Sequence, residues 1–305
     1  MATFTGTNGD NILPSLGQDN SGDDIFKPLR GMDEVDGGDG DDILVIDYSG
    51  NTFSGDQAYN PGISTSFNDD GSGSFSGYIS AYKKLNDSYG QDEVYFQNIE
   101  RFRITGTNFN DDIIIGWNND TVNAGGGDDY IHALEGIDSI NGGEGIDTIG
   151  YTNLADATNN LSIKSTGATI TTSNGIVIKN VEQFIKLYTG SGKDNIVFTE
   201  RFDNEIHTGN GNDTINAGLG SDRVDGGSGI DTLTINYSSN TYGGSSSYPA
   251  GIDSDYTLNH GEGYNGSVSA YYNKKGSYDR IEFSNIEKLS IIGTPKNDYF
   301  RFGGG

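Results

Sequence analysis

The sequence predicts an all-β protein in which coils of short parallel strands are interrupted by antiparallel strands. Three observations indicate this fold. Aspartate recurs at a spacing of nine residues between Asp111 and Asp147, which marks a short structural repeat. Glycine occupies 47 of 305 positions, so tight turns are abundant. Alternating polar and apolar residues, as at 78–82, predict strands, whereas no long segment keeps a helical apolar period.

The charge of the chain excludes several classes of partner. Its 44 acidic and 18 basic residues give a formal net charge of −26, so it should repel nucleic acid and anionic membrane surfaces. Because the chain has no cysteine, it has neither disulfides nor a thiolate metal site. The aliphatic runs are only a few residues long and the first residues lack a basic and an apolar region, so we expect no transmembrane helix and no cleavable signal.

A complete nonapeptide pattern accompanies the nine-residue spacing. Five aspartates from Asp111 to Asp147 keep the spacing without a slip. Around the last of them, residues 142–150 read G-G-x-G-x-D-x-U-x, where U is a large apolar residue, and the same pattern occurs at 37–45 and 226–234. The sequence therefore resembles the RTX (repeats-in-toxin, haemolysin-type) calcium-binding nonapeptide-repeat family.

The repeats fall into blocks that inserts separate. The two long inserts are copies of each other, because 47–53 matches 236–242 and the far end at 96–102 matches 283–289, and a shorter insert ends similarly at 179–184. Since the last block stops in mid-repeat, we expect this chain to be part of a longer protein. The pattern predicts four domains, namely 1–105 (roll block plus long insert), 106–188 (roll block plus short insert), 189–292 (roll block plus long insert) and 293–305 (the start of a further roll block).

The aspartate at the sixth position of each nonapeptide is the candidate metal ligand. Six residues form a turn that needs glycine and three form a short strand, so two nonapeptides close one coil. The aspartates then stack about one strand spacing apart, ~4.8 Å, and repel one another. A hard divalent cation held by carboxylate and turn carbonyl oxygens would relieve this repulsion, so folding should depend on Ca²⁺.

We therefore predict calcium-loaded parallel β-roll blocks interrupted by antiparallel β-strand inserts. Ordinary Asp-Gly turn chemistry is the alternative interpretation, but hairpin turns do not impose a nine-residue spacing. The resemblance implies n − 2 sites for n tandem repeats, hence on the order of eight Ca²⁺ ions. The predicted ligands share the sixth position of a repeat and are Asp24, Asp33, Asp42, Asp111, Asp120, Asp129, Asp138, Asp147, Asp194, Asp213, Asp222, Asp231 and Asp298.

Enzyme signatures are absent from the sequence. The histidines His132, His207 and His260 are isolated, and neither an H-E-x-x-H nor a G-x-S-x-G motif occurs. We interpret these histidines as packed or surface residues and expect that the chain is not an enzyme.

The inserts carry the candidate recognition residues. Fourteen of the 18 tyrosines lie in the two long inserts. They form either a sugar- or surface-binding face or half-exposed strands that pack on the roll. Tyr82 and Tyr271 are the candidates for recognition, because they occupy matched strand ends before the lysine pairs 83–84 and 274–275. We interpret the lysines as solvated hairpin edges that discourage edge pairing.

These features predict a secreted calcium-binding module that folds on Ca²⁺ binding and has a structural or adhesive extracellular role. The alternative is an accessory secretion, folding or targeting domain of a larger enzyme or toxin whose active part lies outside this chain. Pore formation is a third class, which would need an amphipathic or apolar helix region. The resemblance implies type I secretion to the extracellular space or cell surface. The candidate partners are calcium ions and a cell-surface glycan or the extracellular matrix, and the oligomeric state stays open.

Overall fold

In a computed structural model of the chain, all regular secondary structure is β-strand. The described residues are 1–52, 61–69, 71, 73–85, 88–133, 135–167, 169–247, 249–259, 263–273 and 275–303. Across these ranges there is no helix, and so none that is long and apolar enough to cross a membrane. The prediction of an all-β fold is confirmed.

Most strands of the described ranges are no longer than six residues, as expected where each nonapeptide supplies one short strand. In chain order the strands are β1 (Thr3–Thr5), β2 (Ile12–Leu13), β3 (Ile25–Lys27), β4 (Met32–Asp36), β5 (Ile43–Asp47), β6 (Ile63–Asp69), β7 (Phe75–Leu85), β8 (Ser88–Ile99), β9 (Arg101–Thr105), β10 (Asp112–Ile114), β11 (Thr121–Gly126), β12 (Tyr130–His132), β13 (Ser139–Glu144), β14 (Thr148–Asn153), β15 (Ser162–Lys164), β16 (Ile170–Thr171), β17 (Val177–Lys179), β18 (Gln183–Tyr188), β19 (Asn195–Val197), β20 (Glu205–His207), β21 (Asn210–Gly211), β22 (Thr214–Asn216), β23 (Ser221–Asp225), β24 (Ser228–Gly229), β25 (Thr232–Asn236), β26 (Ile252–Asn259), β27 (Gly263–Tyr271), β28 (Tyr278–Ile286), β29 (Lys288–Ile292) and β30 (Tyr299–Gly303).

The strands belong to two compact units. Unit 1 comprises residues 1–151 and 175–182, and unit 2 comprises residues 152–174 and 183–305. Within each unit, consecutive nonapeptide strands alternate between two sheets. Repeats that are nine residues apart therefore lie on different sheets, and repeats that are two nonapeptides apart are hydrogen-bonded neighbours.

In unit 1, one sheet has the order β1-β3-β5-β9-β11-β13-β17 and is parallel throughout. The other has the order β2-β4-β8-β7-β6-β10-β12-β14. Its pairs are parallel except where the first long insert places β7 antiparallel to both β6 and β8. The insert thus adds three strands to the roll sheet, and its last strand pairs in parallel with β4.

Unit 2 repeats this arrangement. One sheet has the parallel order β15-β19-β22-β25-β29, and the other has the order β18-β20-β23-β28-β27-β26-β30. The second long insert places β27 antiparallel to β26 and β28, while β28 pairs in parallel with β23. The strands β21 and β24 form a two-stranded parallel sheet in the turns. The predicted parallel roll with antiparallel inserts is therefore confirmed.

The core consists of stacked aliphatic residues from the eighth position of the nonapeptides. Ile113 pairs in register with Ile131, and Ile131 with Ile149, while Val122 pairs with Ile140 on the other sheet. All five side chains are buried. Each such side chain contributes about 1.5–3 kcal/mol of burial free energy. Because one nonapeptide supplies only one such residue, the core is narrow and each coil depends on its neighbours.

The two long inserts are built alike, as their matched sequences predict. Tyr48 and Tyr237 occupy the same place at the start of each insert, and both side chains are buried. The Tyr237 hydroxyl donates a hydrogen bond of 3.2 Å to the carbonyl oxygen of Val268. Of the named residues of the inserts and their loops, Tyr59, Tyr248, His260 and Lys274 lie outside the described residues.

Truncation of a stacked core residue should destabilise the roll. We expect Ile131→Ala to lower the free energy of unfolding by about 2–5 kcal/mol, because the substitution leaves a cavity between Ile113 and Ile149. The matched control is Ile137→Ala in the same block, whose side chain is 46% exposed. Urea denaturation in saturating Ca²⁺ measures both. Equal losses in the two variants would contradict the described core.

Candidate metal centre

Burial distinguishes the sixth-position aspartates from ordinary turn residues. Twelve of the 13 predicted ligands have side chains that are no more than 5% exposed, and the other, Asp298, is half-buried. A surface turn aspartate would be hydrated. The structure therefore places these carboxylates inside the turns that join the strands, where each must find another partner than water.

One oxygen of each carboxylate binds the backbone of the preceding coil. In the second block, the Asp111 backbone N–H donates to Oδ1 of Asp129 at 2.8 Å, and the Asp129 N–H donates to Oδ1 of Asp147 at 2.9 Å. The Asp120 N–H likewise donates to Oδ1 of Asp138 at 2.9 Å. We call each such file of carboxylates, related by hydrogen bonds two nonapeptides apart, an aspartate ladder.

The same ladders occur in the other blocks. Asp24 donates its backbone N–H to Oδ1 of Asp42 at 2.7 Å, and in unit 2 Asp194 donates to Asp213 at 2.7 Å and Asp213 to Asp231 at 2.8 Å. Asparagines at the sixth position begin two shorter files, in which the N–H of Asn11 donates to Asp33 and that of Asn204 donates to Asp222. Asp298 accepts the backbone N–H of Ile252 at 2.9 Å.

In eight of these carboxylates the second oxygen has no hydrogen-bond partner, whereas Oδ2 of Asp111 accepts the backbone N–H of Thr107 at 2.7 Å. Eight Oδ2 atoms are buried without a hydrogen bond, and they belong to Asp33, Asp42, Asp120, Asp129, Asp147, Asp194, Asp213 and Asp231. An unsatisfied buried polar atom costs about 1–3 kcal/mol, and more when it is charged. The same defect at so many equivalent atoms indicates a missing common partner, and a cation is the partner that a carboxylate oxygen requires.

Burial shifts the ionisation of the ladders strongly. Removal from water raises the pKa of Asp120 and Asp129 to about 8 and that of Asp138 to about 7. Neighbouring carboxylates on the ladder add to the increase, such as Asp138 for Asp120. Asp147 is also affected, since its pKa is raised to about 6 by burial and then by the charge of Glu182. Without a cation, therefore, several of these side chains favour the protonated form near neutral pH.

In several turns a glycine at the first position leaves space beside the ladder carboxylate, and at Gly37, Gly142 and Gly226 that carboxylate oxygen is orphaned. An ideal Cβ on Gly106 would lie 2.0 Å from the carbonyl oxygen of Ala124 and 2.3 Å from Oδ2 of Asp111. On Gly142 it would lie 2.4 Å from Oδ2 of Asp147. A backbone carbonyl and a carboxylate oxygen thus point at the same small space, which a side chain would fill.

The donor set fits calcium. No group of three or more His, Cys, Asp or Glu side chains in the described ranges could hold a metal by itself. The ligands would therefore combine ladder carboxylates with turn carbonyl oxygens. Ca²⁺ accepts such mixed oxygen ligands in flexible geometry, whereas nitrogen and sulfur ligands are absent from these turns.

A family comparison agrees with this geometry. The family model described as the RTX calcium-binding nonapeptide repeat matches residues 103–130, 114–149 and 198–233. The chain carries RTX calcium-binding nonapeptide repeats. No curated protein matches the chain. The RTX matches cover the second block and residues 198–233 of the third, where the ladders run through Asp129 and Asp213.

Sequence reasoning missed three residues at the ends of the aspartate ladders. The backbone N–H groups of the last aspartates, Asp42, Asp147 and Asp231, donate to glutamates from the ends of the inserts. These glutamates are Glu100, Glu182 and Glu287. Their signal in the sequence is the repeated Asn-Ile-Glu or Asn-Val-Glu at the end of each insert.

Two further buried carboxylates were also missed, and they have protein cations as partners. Asp92, which is 1% exposed, forms ion pairs with Arg30 at 2.8 Å and with Lys83. Asp279, which is fully buried, accepts two hydrogen bonds from Arg201 at 2.7 and 3.0 Å. The interpretation of Lys83 as a solvated hairpin edge is therefore wrong, because a buried carboxylate draws its ammonium group inward.

The remaining candidates have ordinary contacts. His207 stacks on Tyr188 with ring centroids 4.5 Å apart and contacts Glu205 at 2.9 Å, and His132 packs edge-on against Tyr130. Tyr82 is half-buried. The half-buried Tyr271 ring packs edge-on against Tyr278 at 5.8 Å. Neither of these two tyrosines presents a freely exposed ring.

The raised pKa values predict that acid stabilises the calcium-free roll. Because the folded-state pKa values of Asp120 and Asp129 lie above the ordinary carboxyl value, the folded chain binds more protons than the unfolded chain between about pH 8 and about pH 4, and stability rises as the pH falls through this window. Melting temperatures in metal-depleted buffer at about pH 5 and pH 8 measure the effect.

The control for this prediction separates the ladders from the overall negative charge. Asp120→Asn combined with Asp129→Asn should reduce the pH dependence of the melting temperature. The same change at the exposed Asp39 and Asp156 should leave that pH dependence unchanged. Equal pH dependence in the two double variants would contradict the role of ladder burial. In saturating Ca²⁺ the dependence should reverse in sign, because protons then compete with the ion.

Proposed function

We propose that this chain is a secreted module whose RTX roll folds when Ca²⁺ binds the aspartate ladders, with a structural or adhesive role outside the cell. The eight orphaned Oδ2 atoms carry this proposal. We propose that on the order of eight ions bind. When bound, Ca²⁺ would neutralise the stacked carboxylates and draw in the turn carbonyl oxygens.

Different groups of the chain have different roles in folding. Oδ1 of each aspartate fixes the spacing between coils through a backbone N–H, as in the 2.8 Å bond from Asp111 to Asp129. Gly37, Gly142 and Gly226 leave space beside the carboxylate at the ends of the ladders. The aliphatic residue of each strand supplies the burial that joins the coils. While its carboxylates are ionised and no metal ion is bound, the ladder repels itself, which destabilises the stacked coils. Folding is therefore coupled to ion binding.

This coupling suits export. RTX repeats are typical of secreted proteins. Modules with extracellular calcium affinities, about 10⁻⁴–10⁻³ M, stay loose at cytosolic calcium and fold outside the cell. We propose type I secretion as the route, and an accessory domain of a larger enzyme or toxin as the alternative role. We propose no catalytic activity for this chain, since His132 and His207 have ordinary packing contacts.

The adhesive role is supported by one exposed face of the first insert. Tyr78 and Tyr95 pair across β7 and β8, are 38% and 49% exposed, and have ring centroids 6.2 Å apart. Tyr95 also lines a groove together with Glu34 and Gln97. Aromatic rings beside carboxylate and amide groups can bind sugars by stacking and hydrogen bonding. These residues are better candidates for recognition than Tyr82, which is half-buried.

A calcium titration tests the proposed folding. We expect millimolar Ca²⁺ to increase the far-ultraviolet β signal and the melting temperature, and EGTA to reverse both, because the ion binds only the folded ladders. Mg²⁺ at the same concentration is the control, since it demands octahedral geometry and retains its water. An unchanged signal and melting temperature after EGTA would refute calcium-coupled folding.

A binding assay tests the adhesive role. The second insert has Ser267 and Glu282 where the first has Tyr78 and Tyr95, because the same strand register pairs them. We therefore expect Tyr78→Ser combined with Tyr95→Glu to abolish calcium-dependent binding to a glycan array or cell surface without loss of folding. Tyr278→Ser is the control, as this residue is also exposed. Undiminished binding in the double variant argues against this face, and no binding by the unaltered chain favours a structural role.

A further inference from the structure

The three inserts return to the roll through the same shortened turn. Before the first return, Asp36 pairs with Gln97, and after it Ile43 pairs with Arg101. Between these two pairs, the nonapeptide turn of the roll has the six residues 37–42. The turn that leads from the insert back to the roll has only the three residues 98–100. We call the three-residue segments 98–100, 180–182 and 285–287 the return turns.

The other two return turns have the same register. Asn141 pairs with Lys179 before the return turn at 180–182, which lies opposite 142–147, and Glu182 then donates its N–H to the Asp147 carbonyl oxygen. In unit 2, Asp225 pairs with Ser284 and Thr232 with Lys288, so 285–287 lies opposite 226–231. Each return turn therefore replaces a nonapeptide turn in the stack.

The first residue of each return turn is an asparagine. Its backbone carbonyl oxygen lies beside the first glycine of the facing nonapeptide turn. Asn98, Asn180 and Asn285 have φ values of 53°, 50° and 54°, a left-handed conformation that asparagine tolerates. Their side-chain amides donate at 2.7 to 2.8 Å to the residue that precedes the facing nonapeptide turn, namely Asp36, Asn141 and Asp225. These bonds hold the backbone in place.

Those carbonyl oxygens face the orphaned carboxylate oxygens. An ideal Cβ on Gly37 would lie 1.8 Å from the Asn98 carbonyl oxygen and 2.8 Å from Oδ2 of Asp42. The equivalent distances at Gly142 are 2.0 Å to the Asn180 oxygen and 2.4 Å to Oδ2 of Asp147. This repeats the geometry of Gly106 inside the ladder, where Ala124 supplies the carbonyl.

The last residue of each return turn is a glutamate, whose carboxylate takes the place that the next aspartate of the ladder would occupy. The N–H of Asp42 donates to Oε2 of Glu100 at 2.7 Å, that of Asp147 to Glu182 at 2.9 Å, and that of Asp231 to Glu287 at 2.7 Å. Bonds between aspartate rungs have the same lengths. Because the return turn is three residues shorter, the additional methylene of glutamate brings the carboxylate to the same N–H.

Acidic groups are the charges that act most strongly on the buried ends of the ladders. Asp42, Asp147 and Asp231 are fully buried with Oδ2 unpartnered. The charges that act most strongly on Asp42 come from Glu100 and Asp24, and those on Asp147 from Glu182 and Asp128. Two carboxylates and a backbone carbonyl thus surround each gap.

Two other buried carboxylates of the long inserts have arginine side chains as their partners. Asp92 and Asp279 also accept backbone N–H groups, from Gly31 at 2.9 Å and Gly220 at 3.1 Å, in the manner of ladder rungs. There an arginine neutralises each carboxylate. At the first return turn the adjacent Arg101 pairs instead with the exposed Asp41 at 2.6 Å, and Oδ2 of Asp42 stays buried without a hydrogen bond.

We infer that Glu100, Glu182 and Glu287 complete terminal calcium sites, in which each return turn takes the place of a nonapeptide turn. The ligands would be Oδ2 of the last aspartate, the asparagine carbonyl oxygen and the glutamate carboxylate. The ion then ties each insert to the end of its roll block, so docking of the insert depends on Ca²⁺. This inference rests on the proposed calcium binding of the ladders.

The test replaces the three glutamates by glutamine. Glu100→Gln, Glu182→Gln and Glu287→Gln together keep an oxygen that accepts the N–H but remove the charge. We expect the triple variant to bind up to three fewer ions per chain, or to bind them about tenfold more weakly, because affinity follows ligand charge. Equilibrium dialysis with metal analysis counts the ions. Hydrogen exchange of β9 and β29 at limiting Ca²⁺ should also accelerate.

The control variant carries Glu135→Gln, Glu200→Gln and Asp156→Asn, three exposed carboxylates outside the return turns. If both triple variants bind as many ions as the unaltered chain, with equal affinity and equal exchange, the terminal sites do not exist although the ladder proposal stands. If the unaltered chain binds no calcium, the proposed function itself fails. If the triple variant does not fold, Glu182→Gln alone should remove one ion, and unchanged binding by it overturns the inference.

Discussion

The need to neutralise buried files of carboxylates governs this structure. Each ladder aspartate commits Oδ1 to a backbone N–H of the neighbouring coil, as Asp129 does for Asp111 at 2.8 Å, and this bond sets the stacking of the coils. In eight of the aspartates the other oxygen is then buried with no hydrogen bond. Short strands and a narrow aliphatic core cannot offset many unpaired charges, because each costs more than a buried side chain contributes. The fold therefore depends on what occupies the turn gaps.

Three cations could neutralise a buried carboxylate here, and the chain uses them differently. A proton can do so, since burial raises the pKa of Asp120 and Asp129 to about 8. A guanidinium does so permanently at Asp279, where Arg201 forms two hydrogen bonds. A calcium ion does so only where its concentration is sufficient. The arginine partners of Asp92 and Asp279 would hold their contacts in the long inserts at any calcium concentration. The ladder carboxylates would be neutralised only when calcium binds, so the stability of the roll would depend on calcium.

Much of the fold could be predicted because a nine-residue spacing leaves few alternatives. The spacing of Asp111 to Asp147 predicts the parallel coils, the burial of Ile131 and the stacking of repeats two nonapeptides apart. The return turns could not be derived in the same way, since Glu100 is 58 residues from its partner Asp42 and the intervening insert hides the register. The pairing of Lys83 with Asp92 was missed for a related reason: the sequence does not show that β8 brings a carboxylate into the interior. Repeats fix local geometry, whereas contacts across inserts depend on the tertiary fold.

The central claim is that calcium fills the gap beside each orphaned Oδ2. Anomalous diffraction from crystals grown with Ca²⁺ tests it most directly, because the anomalous signal of calcium locates each ion without reference to the protein. We predict peaks within coordination distance, about 2.3–2.6 Å, of Oδ2 of Asp120, Asp129 and Asp213 and of the turn carbonyl oxygens opposite them. Ordered aspartate ladders with hydrogen-bonded waters in these gaps, and no anomalous peaks there, would contradict the account.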